Sequence, residues 1–171
     1  SLELAKHKSN LGVTLVAAKK YEPALACLES ALEMRTRLLG SSTVDVAHSE
    51  YNLGQAILAQ GDALAAGKRF QKVCDILETF PNERLSLAQA KLQLGTIALM
   101  KNDLGMAELE YREAKETVES LPKNNPALVA ETCFKLGFVL GKQGEYVAAE
   151  AELRRARSIQ QELFPSDHPE L

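Results

Sequence analysis

The stretch Tyr51–Ile57, "YNLGQAI", has three relatives in the same chain. "SNLGVTL" (Ser9–Leu15) is a near copy, and "LQLGTIA" (Leu92–Ala98) and "FKLGFVL" (Phe134–Leu140) are weaker ones. Their Leu-Gly steps place Gly12, Gly54, Gly95 and Gly137 at intervals of 42, 41 and 42 residues. Other positions keep the same register. Seven residues before each Gly stands Ala (Ala5, Ala47, Ala88, Ala130), and twelve after it another Ala (Ala24, Ala66, Ala107, Ala149). The residue before the first Ala is always aliphatic: Leu4, Val46, Leu87, Val129. Agreement of several independent columns at one period marks a stack of repeats.

Each repeat divides into two helices. Ala5, Leu11 and Leu15, like Ala130, Leu136 and Leu140, fall on one helix face. A polar break follows in each repeat, from "KKYEP" (Lys19–Pro23) through "QGD" (Gln60–Asp62) and "KND" (Lys101–Asp103) to "KQGE" (Lys142–Glu145). The second helix then buries a stripe such as Ala24, Leu28, Ala31 and Leu32, repeated as Ala107, Tyr111, Ala114 and as Ala149, Leu153, Ala156. Gly40 reads as a left-handed cap, and Asn125 followed by Pro126 as a helix start. No segment alternates as a strand would. The class is therefore all-α, with first helices expected near 5–18, 45–59, 86–100 and 127–142. A mid-helix Gly costs about 1 kcal/mol against Ala. Four in register imply that the two helices of each repeat approach too closely for a side chain.

Composition excludes several functions. The net charge of -3 over 171 residues offers no general attraction for nucleic acid or anionic lipid, and no apolar run is long enough to span a bilayer. Cys27, Cys74 and Cys133 are scattered, as expected of buried thiols rather than a disulfide framework or zinc site, and Cys133 reads as a small packer rather than a nucleophile. His7, His48 and His168 have no ligand spacing. No phosphate loop, dinucleotide fingerprint or nucleophile elbow occurs, so neither an enzyme nor a cofactor is expected. The chain begins at Ser1 and reads as a piece of a longer protein; a cytoplasmic location is the default.

These columns resemble the tetratricopeptide repeat, a helix–turn–helix unit with Leu-Gly in its first helix and small Ala in its second. The long period, "LESALEMRTRLLGSSTVDVA" (Leu28–Ala47), and "GEYVAAEAELRRARSIQQELFPSDHPEL" (Gly144–Leu171) look most like the kinesin light chain type, with "LFPSDHP" close to its linker. The resemblance covers the whole chain, as a single domain over 1–171 with repeats at about 5–46, 47–87, 88–129 and 130–171. It implies four helical hairpins forming a right-handed solenoid, whose first helices line a concave peptide-binding groove. The carboxylate clamp found in one variant of the family does not carry over. Its five places hold Ser9, Val13, Asn52, Gln89 and Gln93, of which only Asn52 matches.

By the same resemblance the groove contains Lys6, Asn10, Val13, Tyr51, Asn52, Gln55, Gln93, Thr96, Lys135, Phe138 and Lys142, with His48, Gln89 and Glu131 beside them. Amides suit an extended peptide backbone, and Tyr51 and Phe138 suit its apolar side chains. Lys6, Lys135 and Lys142 outnumber Glu131, which favours an acidic segment with apolar anchors. Asn52 and Lys135 are expected to face solvent. The leading function is a non-catalytic scaffold or adaptor holding a segment of a partner protein. A peptide- or ligand-responsive sensor and a structural spacer stay open. Leu171 occupies the aliphatic place before a repeat's first Ala, so a further repeat or cap is expected beyond it. End-to-end self-association follows as a further expectation.

Overall fold

The computed structural model describes residues 1–121 and 125–164. Its helices are α1 (Leu2–Ala17), α2 (Tyr21–Leu39), α3 (Val44–Gln60), α4 (Ala63–Leu77), α5 (Arg84–Met100), α6 (Leu104–Glu119), α7 (Pro126–Gln143) and α8 (Tyr146–Leu163). A 3-10 turn at Pro81–Glu83 precedes α5, and no strand occurs among the described residues. The odd-numbered helices lie where the repeat register predicts first helices, within a few residues at each end. The linker-like run beyond Phe164, His168 and Leu171 fall outside the described residues.

The chain forms two compact units, Ser1–Glu83 and Arg84–Leu171. In the first, α1 packs on α2, α3 packs on α4, and α3 seats against the α1–α2 hairpin. In the second, α5 pairs with α6 and α7 with α8, and α7 seats against α6. Each unit is thus two helical hairpins joined through the first helix of its second hairpin.

The reason lies in the Gly column. A Cβ on Gly12 would stand 2.6 Å from Leu28 Cγ, and one on Gly95 2.5 Å from Tyr111 Cε1. The corresponding approaches are 3.0 Å to Phe70 Cε1 at Gly54 and 2.8 Å to Leu153 Cγ at Gly137. In all four repeats the intruding side chain lies sixteen residues after the Gly, on the second helix. A methyl group at Gly12, Gly95 or Gly137 would overlap a neighbour in a close-packed interior, and at Gly54 it would fit only tightly. The Ala columns line the same seams: Ala5, Ala47, Ala88 and Ala130, like Ala24, Ala66, Ala107 and Ala149, are buried.

The Leu of the Leu-Gly step behaves differently. Leu53 and Leu136 are fully buried, because α3 and α7 each have a preceding hairpin of their unit to pack on; Leu11 on α1 is 52% exposed. The step therefore couples two contacts, Gly within a hairpin and Leu between hairpins.

The turns repeat as well. Seven residues after each Gly the backbone has positive φ: Lys19 at 58°, Gly61 at 105°, Asn102 at 59° and Gly144 at 87°. Gly61 and Gly144 supply the left-handed conformation without a Cβ penalty. Asp62 and Asp103 follow as N-caps, accepting from Ala65 N at 2.9 Å and Met106 N at 3.0 Å. Asn125 caps α7 by accepting from Leu128 N, with Pro126 in the first turn. Gly40 is a correction: its φ of 88° is positive, but its ψ of 169° is extended rather than left-handed helical.

Replacing Gly95 by Ala should lower stability by about 1–3 kcal/mol, since the Tyr111 ring is buried and must shift. Gly105→Ala is the control: its Cβ would meet only Asp103 Oδ1 at 3.9 Å. That substitution should gain up to about 1 kcal/mol from helix propensity. Urea unfolding of both variants checks the pair; equal effects would refute the close-packing account.

Candidate functional site

The residues assigned to a groove fall into two sets, one in each unit. In the first unit, Lys6, Asn10 and Val13 are exposed on α1, while Tyr51, Asn52 and Gln55 are half-buried on α3. Four of these come together: Val13, Tyr51, Asn52 and Gln55, with Val16 and Ala17, line a cleft of about 300 Å³. The Tyr51 ring is held edge-on against Phe70, centroids 5.4 Å apart, and its hydroxyl accepts from Gln55 Nε2 at 2.9 Å. Asn52 Nδ2 donates to Ser9 Oγ at 3.3 Å, across α1 and α3. Asn52 is therefore engaged rather than simply solvent-facing. Its carbonyl end keeps acceptor capacity toward a ligand N–H.

In the second unit Gln93 and Thr96 are half-buried on α5. Lys135 on α7 reaches across to them: its ammonium donates to Thr96 Oγ1 at 3.4 Å and lies 3.8 Å from Glu131. Thr96 itself donates to Leu92 O at 2.9 Å and shares a contact of 3.2 Å with the Tyr111 hydroxyl. Burial pushes the Tyr111 phenol above its ordinary range, with the Thr96 bond opposing. Lys135, like Asn52, is thus tied into the helix–helix contact. The reason is common to both. They stand two residues before the Gly, where a first helix faces its neighbour.

Phe138 and Lys142 lie apart from that contact. The Lys142 ammonium sits 5.2 Å from the centroid of the Phe138 ring, a cation–π distance. Both line a wider cleft of about 590 Å³ between α7 and α8, with Tyr146, Leu153, Arg154 and Arg157. Cations outnumber the one acid there, Glu150, which pairs with Arg154 at 2.7 Å. Of the three lysines on which the sequence placed a basic excess, Lys142 lines this cleft, Lys6 is exposed on α1, and Lys135 lies beside Glu131.

One set of polar residues was not singled out from sequence. Glu50 is fully buried and accepts from Arg69 at 3.0 Å and Lys72 at 2.6 Å. Its bond to Lys72 belongs to a column. Lys8 donates to Ser30 at 2.7 Å and Lys91 to Glu113 at 2.5 Å, each pair 22 residues apart. The three link the first helix of a repeat to its second, with the charge sense reversed at Glu50. The recurrent 22-residue spacing of complementary groups was the available signal.

The fourth repeat has Cys133 at that column. Its thiol is buried, and burial, with Glu152 beside it, pushes its pKa up to about 11. His48 lies 3.6 Å from Glu83, and His7 lies 3.8 Å from Glu3. No group of three or more potential metal ligands occurs among the described residues. Among those residues, too, no helix is long and apolar enough to cross a membrane.

Sequence profiles of the tetratricopeptide repeat match residues 3–79 and 129–170. No curated protein sequence matches the chain. Among solved structures, the chain is similar to BtubC (BKLC) from P. vanneervenii, with a TM-score of 0.86 at 20% identity over 95% of this chain and 66% of that one. The apo form of RapI gives 0.85 at 18% identity over 95% and 58%. A Podosopora anserina putative kinesin light chain with nearly identical TPR-like repeats gives 0.60 at 15% identity over 97% and 99%. The chain thus spans less than two thirds of the first two structures, and identities this low speak for the fold alone.

The cysteines provide a solution check on these environments. At pH 8 a thiol with a pKa near 11 is ionised to about one part in a thousand, against about one in ten for an ordinary one. Alkylation of the native chain, read by mass spectrometry, should modify half-buried Cys27 first and Cys133 at least about 100-fold more slowly. In denaturant the difference should vanish.

Proposed function

We propose that this chain, which belongs to the tetratricopeptide repeat family, is a non-catalytic scaffold that binds an extended segment of a partner protein along its first helices. The observation that carries this reading is the cleft of the first unit. Val13, Val16 and Ala17 form an apolar wall, and Tyr51, Asn52 and Gln55 face it from α3. Apolar walls with a few oriented amides suit a peptide, whose side chains need pockets and whose backbone needs donors and acceptors. In the second unit Phe138 offers the corresponding apolar anchor, at the same register position as Val13.

The preferred ligand has acidic residues beside one or two bulky apolar ones. Exposed Lys6 in the first unit supports this, as do Lys142, Arg154 and Arg157 around Phe138 in the second. Such binding weakens with salt, since these cations are near the surface. Lys135 contributes less, being occupied by Thr96 and Glu131. Nucleic acid and membrane insertion are not part of the proposal, and neither is a cofactor.

The test is a library of ten-residue peptides varying in acidic, basic and aromatic content, followed by calorimetric titration of the best binders. Val13→Glu and Phe138→Ala should each weaken binding by about tenfold or more with at most a small change in the thermal midpoint, because both side chains are about half exposed. Asn52→Ala should have a smaller effect on binding and a measurable cost in stability, through loss of its bond to Ser9. If the groove variants bind like the parent chain while Arg37→Glu, on the exposed face of α2, abolishes binding, the groove is the wrong surface.

A further inference from the structure

The columns that pack the four repeats are alike, so they cannot tell one repeat from another. Gly12, Gly54, Gly95 and Gly137 each receive a bulky side chain from sixteen residues on, between the same two Ala columns. In the second and third repeats even the intruding side chains are similar, Phe70 and Tyr111. A first helix would therefore find an apolar fit against the second helix of the next repeat as well as against its own. Exchange of elements between like units is a characteristic misassembly of repeat chains. The connections do not prevent it: α4 and α5, from different repeats, are joined by only six residues, 78–83.

One set of positions does differ in kind. It comprises the residue four before the Gly and those fifteen and eighteen after it. In the second repeat these are Glu50, Arg69 and Lys72, and the fully buried carboxylate takes Arg69 at 3.0 Å and Lys72 at 2.6 Å. In the third they are Lys91, Glu110 and Glu113, the same arrangement with every sign reversed. Lys91 Nζ lies 2.5 Å from Glu113 Oε2, and the lysine side chain is only 14% exposed. Glu110, one turn before Glu113, is close enough for the Lys91 charge to oppose the upward push that burial gives its carboxyl. Exchanged partners would set Glu50 against Glu110 and Glu113, and Lys91 against Arg69 and Lys72. In the first repeat the leading position is Lys8, with Cys27 and Ser30 behind it, so the charge alternates along the chain as Lys8, Glu50, Lys91.

We propose that this alternating column is a pairing code: it directs α3 to α4 and α5 to α6 by making each exchanged pair like-charged. The Gly and Ala columns supply a close packing common to all repeats, and the charged column supplies the choice among them. Buried charge suits that task. A correct buried pair gains little over an apolar contact, whereas a buried charge left without its partner is strongly unfavourable. The penalty for a wrong partner is therefore larger than the reward for the right one, and discrimination rests on that difference. Pairing of α1 with α4 is opposed in the same way, since Lys8 would meet Arg69 and Lys72. The code acts on hairpin assembly and is separate from the peptide site, because none of its residues in the second and third repeats lines either cleft.

The test transplants the second repeat's set into the third through Lys91→Glu, Glu110→Arg and Glu113→Lys. Each hairpin stays complementary, but the two now carry the same sense. Lys91→Glu alone should lower the thermal midpoint, and the triple substitution should recover most of that loss. Parent and triple variant are then unfolded in urea and refolded by dilution at micromolar concentration. The parent should return to the size-exclusion profile it had before unfolding. The variant should leave at least about twofold more of its protein in a misassembled fraction. Within that fraction, carbodiimide coupling of adjacent carboxylates and amines should join Glu50 to position 113, or Lys72 to position 91. A variant that refolds with the parent's yield, or whose misassembled fraction lacks those links, overturns the inference. The converse transplant, Glu50→Lys with Arg69→Glu and Lys72→Glu, repeats the test with the opposite sense. If neither triple substitution recovers the stability lost by its first change alone, the three positions do not act as a complementary set and the inference also falls.

Discussion

Everything in this chain depends on how closely two helices can approach at one glycine. In each repeat a bulky side chain from the second helix, Leu28, Phe70, Tyr111 or Leu153, lies over the backbone of the first, at distances that leave no room for a Cβ at Gly12, Gly95 and Gly137 and only a tight fit at Gly54. Without that approach the Ala columns would not reach each other, and the seam would hold a void rather than a packed interior. The glycine's cost in helix propensity is about 1 kcal/mol. Closing the void offsets that cost, since cavities on the scale of a side chain cost several times more.

The close seam explains why the polar residues are where they are. Helices that touch along small residues bring long side chains on either flank within reach across the pair. Lys8 meets Ser30, Lys72 meets Glu50, and Lys91 meets Glu113, always at the same two register positions. Glu50 is the extreme case, fully buried and held by two cations whose own side chains stay partly in water. This arrangement keeps a carboxylate satisfied inside the protein while its partners retain part of their hydration. At Cys133 the column gives up its charge, and the thiol is held neutral by burial.

The same geometry shapes the candidate binding surface. Side chains two residues before the Gly point at the neighbouring first helix and become structural, as Asn52 and Lys135 do. One residue after it, Val13 and Phe138 remain open, whereas Gln55 bonds Tyr51 and Thr96 is tied to Lys135 and Tyr111.

Much of the fold was legible in the sequence, because the constraint is local and repeated. Gly and Ala columns at a period of 41 to 42 residues, with polar breaks between, determine the eight helices seen among the described residues and their pairing into hairpins. The breaks even carry their own evidence in Asp62, Asp103 and Asn125, each a helix cap. What the sequence could not determine is which copy of a repeated residue is covered. Leu11 and Leu53 look alike in the chain, yet one is exposed and the other buried, because burial depends on whether another hairpin lies against it. Likewise Asn52 and Lys135 read as solvent-facing ligands until the neighbouring helix supplied Ser9 and Thr96 as partners. Local pattern specifies what a residue can do; only the tertiary arrangement, by placing or withholding a neighbour, decides whether it does it.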